Sequence, residues 1–131
     1  MSANPRHVLI VDDDIAVGTT LAEFFEGKTA FTTKVATNAG VAIAAFIEHT
    51  PDLVLLDIGM PGMNGIELLQ RLQRLNSRVP IIIVTGAGAV ASTTAASHGA
   101  FGVVAKPLDL KRLDTLINLA ISQPWASGPK P

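Results

Sequence analysis

Short apolar runs that each end in a polar residue punctuate the chain. Val8-Leu9-Ile10-Val11 runs into Asp12 and Asp13, Leu53-Val54-Leu55-Leu56 into Asp57, Ile81-Ile82-Ile83-Val84 into Thr85, and Val103-Val104-Ala105 into Lys106, which precedes Pro107. Apolar runs of this length predict strands of a parallel sheet covered on both faces. Between them the apolar period becomes helical. The pattern predicts strand then helix five times over, with strands at 7–11, 32–36, 53–56, 81–84 and 102–105 and helices at 15–26, 39–49, 66–76, 90–98 and 110–122. Asp14 and Asn38 stand where N-caps belong, and Pro51 stops the second helix.

The helical stripes name the expected core. They are Val17, Leu21, Phe24 and Phe25 in the first helix, then Val41, Ile43, Phe46 and Ile47 in the second. The third offers Leu68, Leu69, Leu72 and Leu75, and the fifth Leu110, Leu113, Leu116, Ile117, Ala120 and Ile121. Phe101 is also expected in the core. The second strand, with Thr33 and Lys34, is the most polar and belongs nearer an edge. The stretch 86–100 is unusual, because nine of its fifteen residues are Gly or Ala. A fourth helix there has few large side chains to anchor it and should be low in local stability. Met60-Pro61-Gly62-Met63-Asn64-Gly65 reads as a loop.

Alternating strands and helices imply an α/β, doubly wound parallel sheet with helices on both faces. Right-handed crossovers bring every strand C-terminus to one edge, and ligands of such sheets bind there, at the switch point in strand order. The polar residues after the runs all lie on that edge. The domain is expected to span 1–122. Residues 123–131, Gln-Pro-Trp-Ala-Ser-Gly-Pro-Lys-Pro with Trp125 among them, read as a linker or tail.

Composition narrows the class. A chain of 131 residues that is 48% apolar suits one folded domain. Only 16% of residues are charged and the formal net charge is −1, so no broad electrostatic surface for nucleic acid or membrane is expected. Action on DNA would need another domain. The absence of cysteine excludes disulfides and thiolate metal sites and is compatible with a reducing cytoplasm. No apolar run resembles a signal peptide or a membrane span. His7, His49 and His98 fall in different elements and read as surface or packing residues.

Asp12, Asp13 and Asp57 on one edge would repel one another, and a divalent cation removes that penalty. An all-oxygen donor set without His or Cys favours Mg²⁺ or Mn²⁺ over Zn²⁺. An aspartate beside such a cation can also be a nucleophile for a phosphoryl group, with Lys106 and Thr85 each taking one of its oxygens. Asp14 reads as a helix cap.

Val8-Leu9-Ile10-Val11-Asp12-Asp13-Asp14, Asp57-Ile58-Gly59-Met60-Pro61-Gly62-Met63-Asn64-Gly65, Val84-Thr85-Gly86 and Lys106-Pro107 together resemble the receiver domains of two-component response regulators, over about residues 6–122. The resemblance implies a flavodoxin-like (CheY-like) three-layer sandwich with strand order 2-1-3-4-5. It implies Asp57 as phospho-acceptor and Asp13 as a direct Mg²⁺ ligand, with Asp12 acting through water and the Gly59 carbonyl as a further ligand. Thr85 becomes the switch hydroxyl, Lys106 the ion-pairing lysine, and Lys106–Pro107 a cis peptide bond. The implied partners are a sensor histidine kinase or a histidine phosphotransfer protein, and an output domain outside this chain. A homodimer through the fourth helix, fifth strand and fifth helix is also implied, in a cytoplasmic setting. Gly99-Ala100-Phe101-Gly102 and Lys106-Pro107-Leu108-Asp109-Leu110 resemble receivers of enhancer-binding transcription regulators.

One position departs from the family. Three residues before the lysine, where receivers carry Tyr or Phe, stands Val103. A short, stiff side chain cannot swing as a ring does. Phe101 has the strand parity to lie on the same side and is a candidate replacement. Gly59 and Ala87, two residues after Asp57 and Thr85, are small, so an open site that loses its phosphoryl group quickly is expected.

Two rival readings use the same residues. In a degenerate receiver, binding is independent of phosphorylation, as Val103 would allow. In a phosphatase resembling the haloacid-dehalogenase type, Asp12 is the nucleophile and Asp14 the general acid. The latter leaves Asp57 without a role and lacks a cap domain.

Overall fold

The computed structural model describes residues 5–28, 30–60, 64–86 and 88–122. Five strands alternate with five helices: β1 (Arg6–Val11), α1 (Ile15–Glu26), β2 (Phe31–Ala36), α2 (Ala39–Glu48), β3 (Leu53–Leu56), α3 (Gly65–Leu75), β4 (Ile81–Thr85), α4 (Ala89–Ser97), β5 (Gly102–Ala105) and α5 (Leu110–Ile121). The sheet is parallel throughout, in the order β2-β1-β3-β4-β5. β2, the most polar strand, is an edge, as its composition requires.

The pleat sorts the core into two layers. Val8, Ile10, Leu53, Leu55, Ile82 and Val84 face α1 and α5, where they meet Leu21, Phe25, Leu113 and Ile117. The alternate residues Leu9, Val11, Val54, Leu56, Ile81 and Ile83 face α2, α3 and α4, where they meet Phe46, Leu68, Leu69, Leu72 and Ala95. Burying each of the Val, Leu, Ile and Phe side chains contributes about 1.5–3 kcal/mol. α1 and α3 therefore leave the neighbouring strands β1 and β3 toward opposite faces, which opens the crevice at the ends of those two strands.

Side-chain caps start four helices: Asp14 on Ala16 N–H, Asn38 on Val41 N–H, Asn64 on Glu67 N–H and Asp109 on Arg112 N–H. α4 has none. Gly88 precedes it at φ +97°, a conformation that favours glycine, and among its described side chains only Ala95 is buried.

Some expected core positions are exposed. On α2, Ala42 and Phe46 are buried, while Val41 and Ile47 point outward. Small residues, Ala42 among them, let this helix lie close on β1 and β2, so its buried stripe is narrower than the apolar pattern suggests. Leu75 and Leu110, at the end of α3 and the start of α5, are also exposed. Phe101 joins the α1–α5 layer and Val103 the opposite one. Strand parity misplaces Phe101 because it precedes β5, at a bend. It therefore cannot stand in for a ring at position 103.

One contact links residues the sequence keeps far apart. The imidazoles of His7, on β1, and His49, at the end of α2, stack with centroids 4.1 Å apart and planes 4° from parallel. His7 N–H donates to Asp52 Oδ2, and its Nδ1 lies 3.1 Å from Thr32 Oγ1. Burial, and next His49, hold the His7 pKa below its ordinary value of 6.5, against the opposing charge of Asp52. The folded state thus binds a proton here less readily than the unfolded chain does. Stability should be full above pH 6.5, fall as the pH drops below it, and level off once the pH passes the folded-state value. Denaturant melts between pH 7.5 and 5 should show this, with a slope of no more than about 1.4 kcal/mol per pH unit from this group. His49→Gln should shallow the slope.

Candidate functional site

Strand register places the site. Val11 pairs with Ala36 on one side and Leu56 on the other, and Thr85 pairs with Ala105. Backbone bonds continue just past the ladders. Asp57 N–H donates to Val11 C=O at 2.9 Å, Asp12 N–H to Ala36 C=O at 3.0 Å and Lys106 N–H to Thr85 C=O at 3.0 Å. The first residues beyond the apolar runs are held by the sheet itself, and their side chains converge.

Asp57 is the hub. Its Oδ1 accepts from Gly59 N–H at 2.8 Å and from Thr85 Oγ1 at 2.9 Å, and its Oδ2 lies 3.1 Å from Lys106 Nζ. Lys106 Nζ also reaches Asp12 Oδ2 at 2.9 Å, and Asp12 Oδ1 accepts from Asp14 N–H at 2.9 Å. Asp12, Asp57 and Thr85 are only 2%, 6% and 1% exposed, whereas Asp13 opens to solvent. The Thr85 hydroxyl already points at Asp57. The Lys106–Pro107 peptide is cis.

Burial, the largest influence, pushes the Asp12 carboxyl above its ordinary value even though Lys106 and Asp14 N–H stabilise its charge. Burial alone would lower the Lys106 ammonium. Its hydrogen bonds and charge contacts with Asp12 and Asp57 outweigh that and raise it, so it stays charged.

One ammonium offsets only part of three carboxylates. One oxygen from each of Asp12, Asp13 and Asp57 lies within 4.8 Å of the others. This hard, oxygen-only set, still short of positive charge beside Lys106, fits a divalent cation. Asp14 is absent from that cluster and caps α1 through Ala16 N–H, so the carboxylate that the phosphatase reading assigns as general acid is not among those gathered around Asp12.

Sequence reasoning found the converging residues but not how they are shared. It named no acid as the partner of Lys106, and the fold gives it two, Asp12 and Asp57. It also passed over Gly65 as a packing element. A Cβ there would sit 2.3 Å from the Ile58 Cα and 2.5 Å from its carbonyl oxygen, so α3 starts directly against the residue after Asp57. The signal was a glycine at the first helical position, where a glycine has no capping role. Val103 is half-buried in the α2–α4 layer, level with Ile83. Ala87 and the loop residues Pro61, Gly62 and Met63 lie outside the described residues, as do residues 123–131 with Trp125. Beside Lys106 an apolar hollow of about 250 Å³ opens between α1 and Pro107-Leu108, and Ile15 nearby is 73% exposed.

The sequence pattern of the family described as "Response regulator receiver domain" matches residues 8–118. Sporulation initiation phosphotransferase F of Bacillus subtilis is 36% identical over 81% of this chain and 86% of its own length. Regulatory protein AtoC of Escherichia coli is 36% identical over 88% of this chain, which spans only 25% of AtoC. The DNA-binding transcriptional regulator NtrC of Salmonella typhimurium, at 34% identity, is likewise matched over 24% of its length. A response regulator receiver domain protein (CheY-like) from Methanospirillum hungatei superimposes with a TM-score of 0.87 at 28% identity, covering 95% of this chain and all of the other. With the strand order and the acidic cluster in place, these matches make the chain a member of the receiver domain family of two-component response regulators.

Proposed function

We propose that the chain is a phospho-accepting switch in which Asp57 takes a phosphoryl group from a phosphohistidine of a sensor kinase or histidine phosphotransfer protein. The observation that carries this is the ring of donors on Asp57: an amide, a hydroxyl and an ammonium, spread over both carboxylate oxygens. The donors that hold the carboxylate are the ones a phosphoryl group would need there. An Asp57 oxygen forms the bond to phosphorus while the P–N bond breaks. The electron pair of that bond stays on the donor imidazole, which carries a proton on its other nitrogen and therefore leaves as neutral imidazole. Thr85 and Lys106 take phosphoryl oxygens. Asp12, Asp13, Asp57 and the Gly59 carbonyl would hold Mg²⁺, or Mn²⁺, whose charge offsets that of the incoming group.

The exposed Ile15 and the hollow beside Lys106 offer the donor protein an apolar foothold next to the acceptor. The switch unit is taken as residues 1–122, joined through 123–131 to an output domain, in the cytoplasm. Among the described residues no helix is long and apolar enough to cross a membrane. The output surface is α4–β5–α5, which would also form any homodimer. α4, which has no side-chain cap and buries only Ala95 among its described side chains, is the element most easily biased between two positions. Val103 favours a readout carried by backbone and α4 packing instead of a ring. The chain is a regulatory acceptor that assists its own phosphorylation and dephosphorylation, not a turnover enzyme.

Acetyl phosphate with Mg²⁺ should add a single phosphoryl group by intact mass. A chelator should prevent the addition and hydroxylamine should remove it, as for an acyl phosphate. Mass unchanged with every donor would leave the phosphorylation-independent receiver as the better reading. Gly59 is exposed and bears no side chain to shield the acceptor. The phospho-form should therefore decay without any phosphatase, and Gly59→Lys should prolong it several-fold. A long-lived wild-type phospho-form would count against the open site.

A further inference from the structure

On the face opposite α1 and α5, α2 and α3 leave a groove of about 520 Å³ between them. Ile43, Ile47, Glu67, Arg71, Arg74 and Leu75 line it. Its apolar members include two of the most exposed aliphatic side chains in the structure, Ile47 at 63% and Leu75 at 46%. Arg71 and Arg74, one helical turn apart on α3, make no ion pair or hydrogen bond with any described residue. Both helices run antiparallel to the strands. Ile47, Arg74 and Leu75 therefore sit at the strand N-terminal edge, far from Asp57, and Glu67 lies at the other end of the groove.

We propose that this groove docks an acidic amphipathic helix, one that lays aliphatic side chains on Ile43, Ile47 and Leu75 and sets carboxylates against Arg71 and Arg74. A trough between two helices suits helix-in-groove recognition, in which apolar anchors recur every three or four residues. The charge selects the occupant. Two unpaired guanidiniums beside an apolar floor favour carboxylates and disfavour a basic segment. Residues 123–131 are a poor match, since their one charged side chain is Lys130. A second copy is disfavoured too. Its exposed aliphatic residues with an acidic neighbour are Ile15 beside Asp13 and Asp14, Ile47 beside Glu48 and Leu110 beside Asp109; the first would cover the phospho-acceptor site, the second lies in the groove itself, and the third brings a single adjacent carboxylate. Because the groove's basic end lies at the opposite edge from Asp57, docking is independent of phosphorylation, unlike docking on α4–β5–α5.

The test uses the full chain and a fluorescein-labelled synthetic helix of about four turns, with leucines at i, i+3, i+4 and i+7 and glutamates on its flank. A twin peptide carries lysine for each glutamate. The glutamate peptide should bind roughly tenfold more tightly than the twin, and Arg71→Glu with Arg74→Glu should reverse the preference. Amide shifts on binding should map to α2 and α3 and be the same in the Asp57→Asn variant. Equal binding of the two peptides, no binding, or shifts confined to α4–β5–α5 would overturn the proposal. So would self-association lost in the double arginine variant, or capture by phosphatidylglycerol vesicles in preference to the peptide.

Discussion

Asp57→Asn should lose all phosphoryl incorporation while the domain stays folded. The amide oxygen can still accept from Gly59 N–H and Thr85 Oγ1, which the native Asp57 Oδ1 does at 2.8 and 2.9 Å. What disappears is the nucleophilic oxygen and the charge facing Lys106. Intact-mass analysis against acetyl phosphate reads the loss, and circular dichroism melts separate it from unfolding. Asp12 keeps its pairing with Lys106 in this variant, because that contact does not pass through Asp57. Residual labelling at the wild-type level would mean that another carboxylate is the acceptor.

Gly65→Ala should destabilise the domain by about 3 kcal/mol, the upper range for forcing atoms into filled space. The sign is opposite to the usual one, since replacing glycine by alanine in a helix ordinarily stabilises by about 1 kcal/mol. Here the added methyl meets backbone, the Ile58 Cα at 2.3 Å and its carbonyl oxygen at 2.5 Å, and neither can step aside as a flexible side chain would. The chain must move where β3 delivers Asp57, so labelling of the folded fraction should slow as well. Urea denaturation measures the first effect and the rate of mass increase the second. A variant as stable as the parent would show that α3 is free to slide on Ile58.

The residues at the strand ends were legible because apolar runs and their polar stops are local features. A parallel sheet then aligns strands that are far apart in sequence, and Asp12, Asp57, Thr85 and Lys106 converge as a consequence of topology. Asp14 and Asn38 were legible as caps for the same local reason. Relations that depend on packing were not. Nothing in the spacing of His7 and His49 announces that their rings stack. Periodicity marked Val41, Ile47 and Leu75 as apolar, but which part of a helix meets the sheet depends on how close its small residues allow it to lie. Phe101 shows the limit of parity: one residue outside a strand, alternation no longer decides the face. Lys106 shows a similar limit for charge, because its second partner, Asp12, is set by three dimensions.

The central claim is that the donor-ringed carboxylate is the acceptor. It is tested most directly by treating the wild-type chain with Mg²⁺ and acetyl phosphate, reducing the acyl phosphate with borohydride, and locating the modified residue by peptide mass spectrometry. Modification at Asp57 alone is the predicted result. Modification at Asp12, or none under conditions that label other receivers, would contradict it.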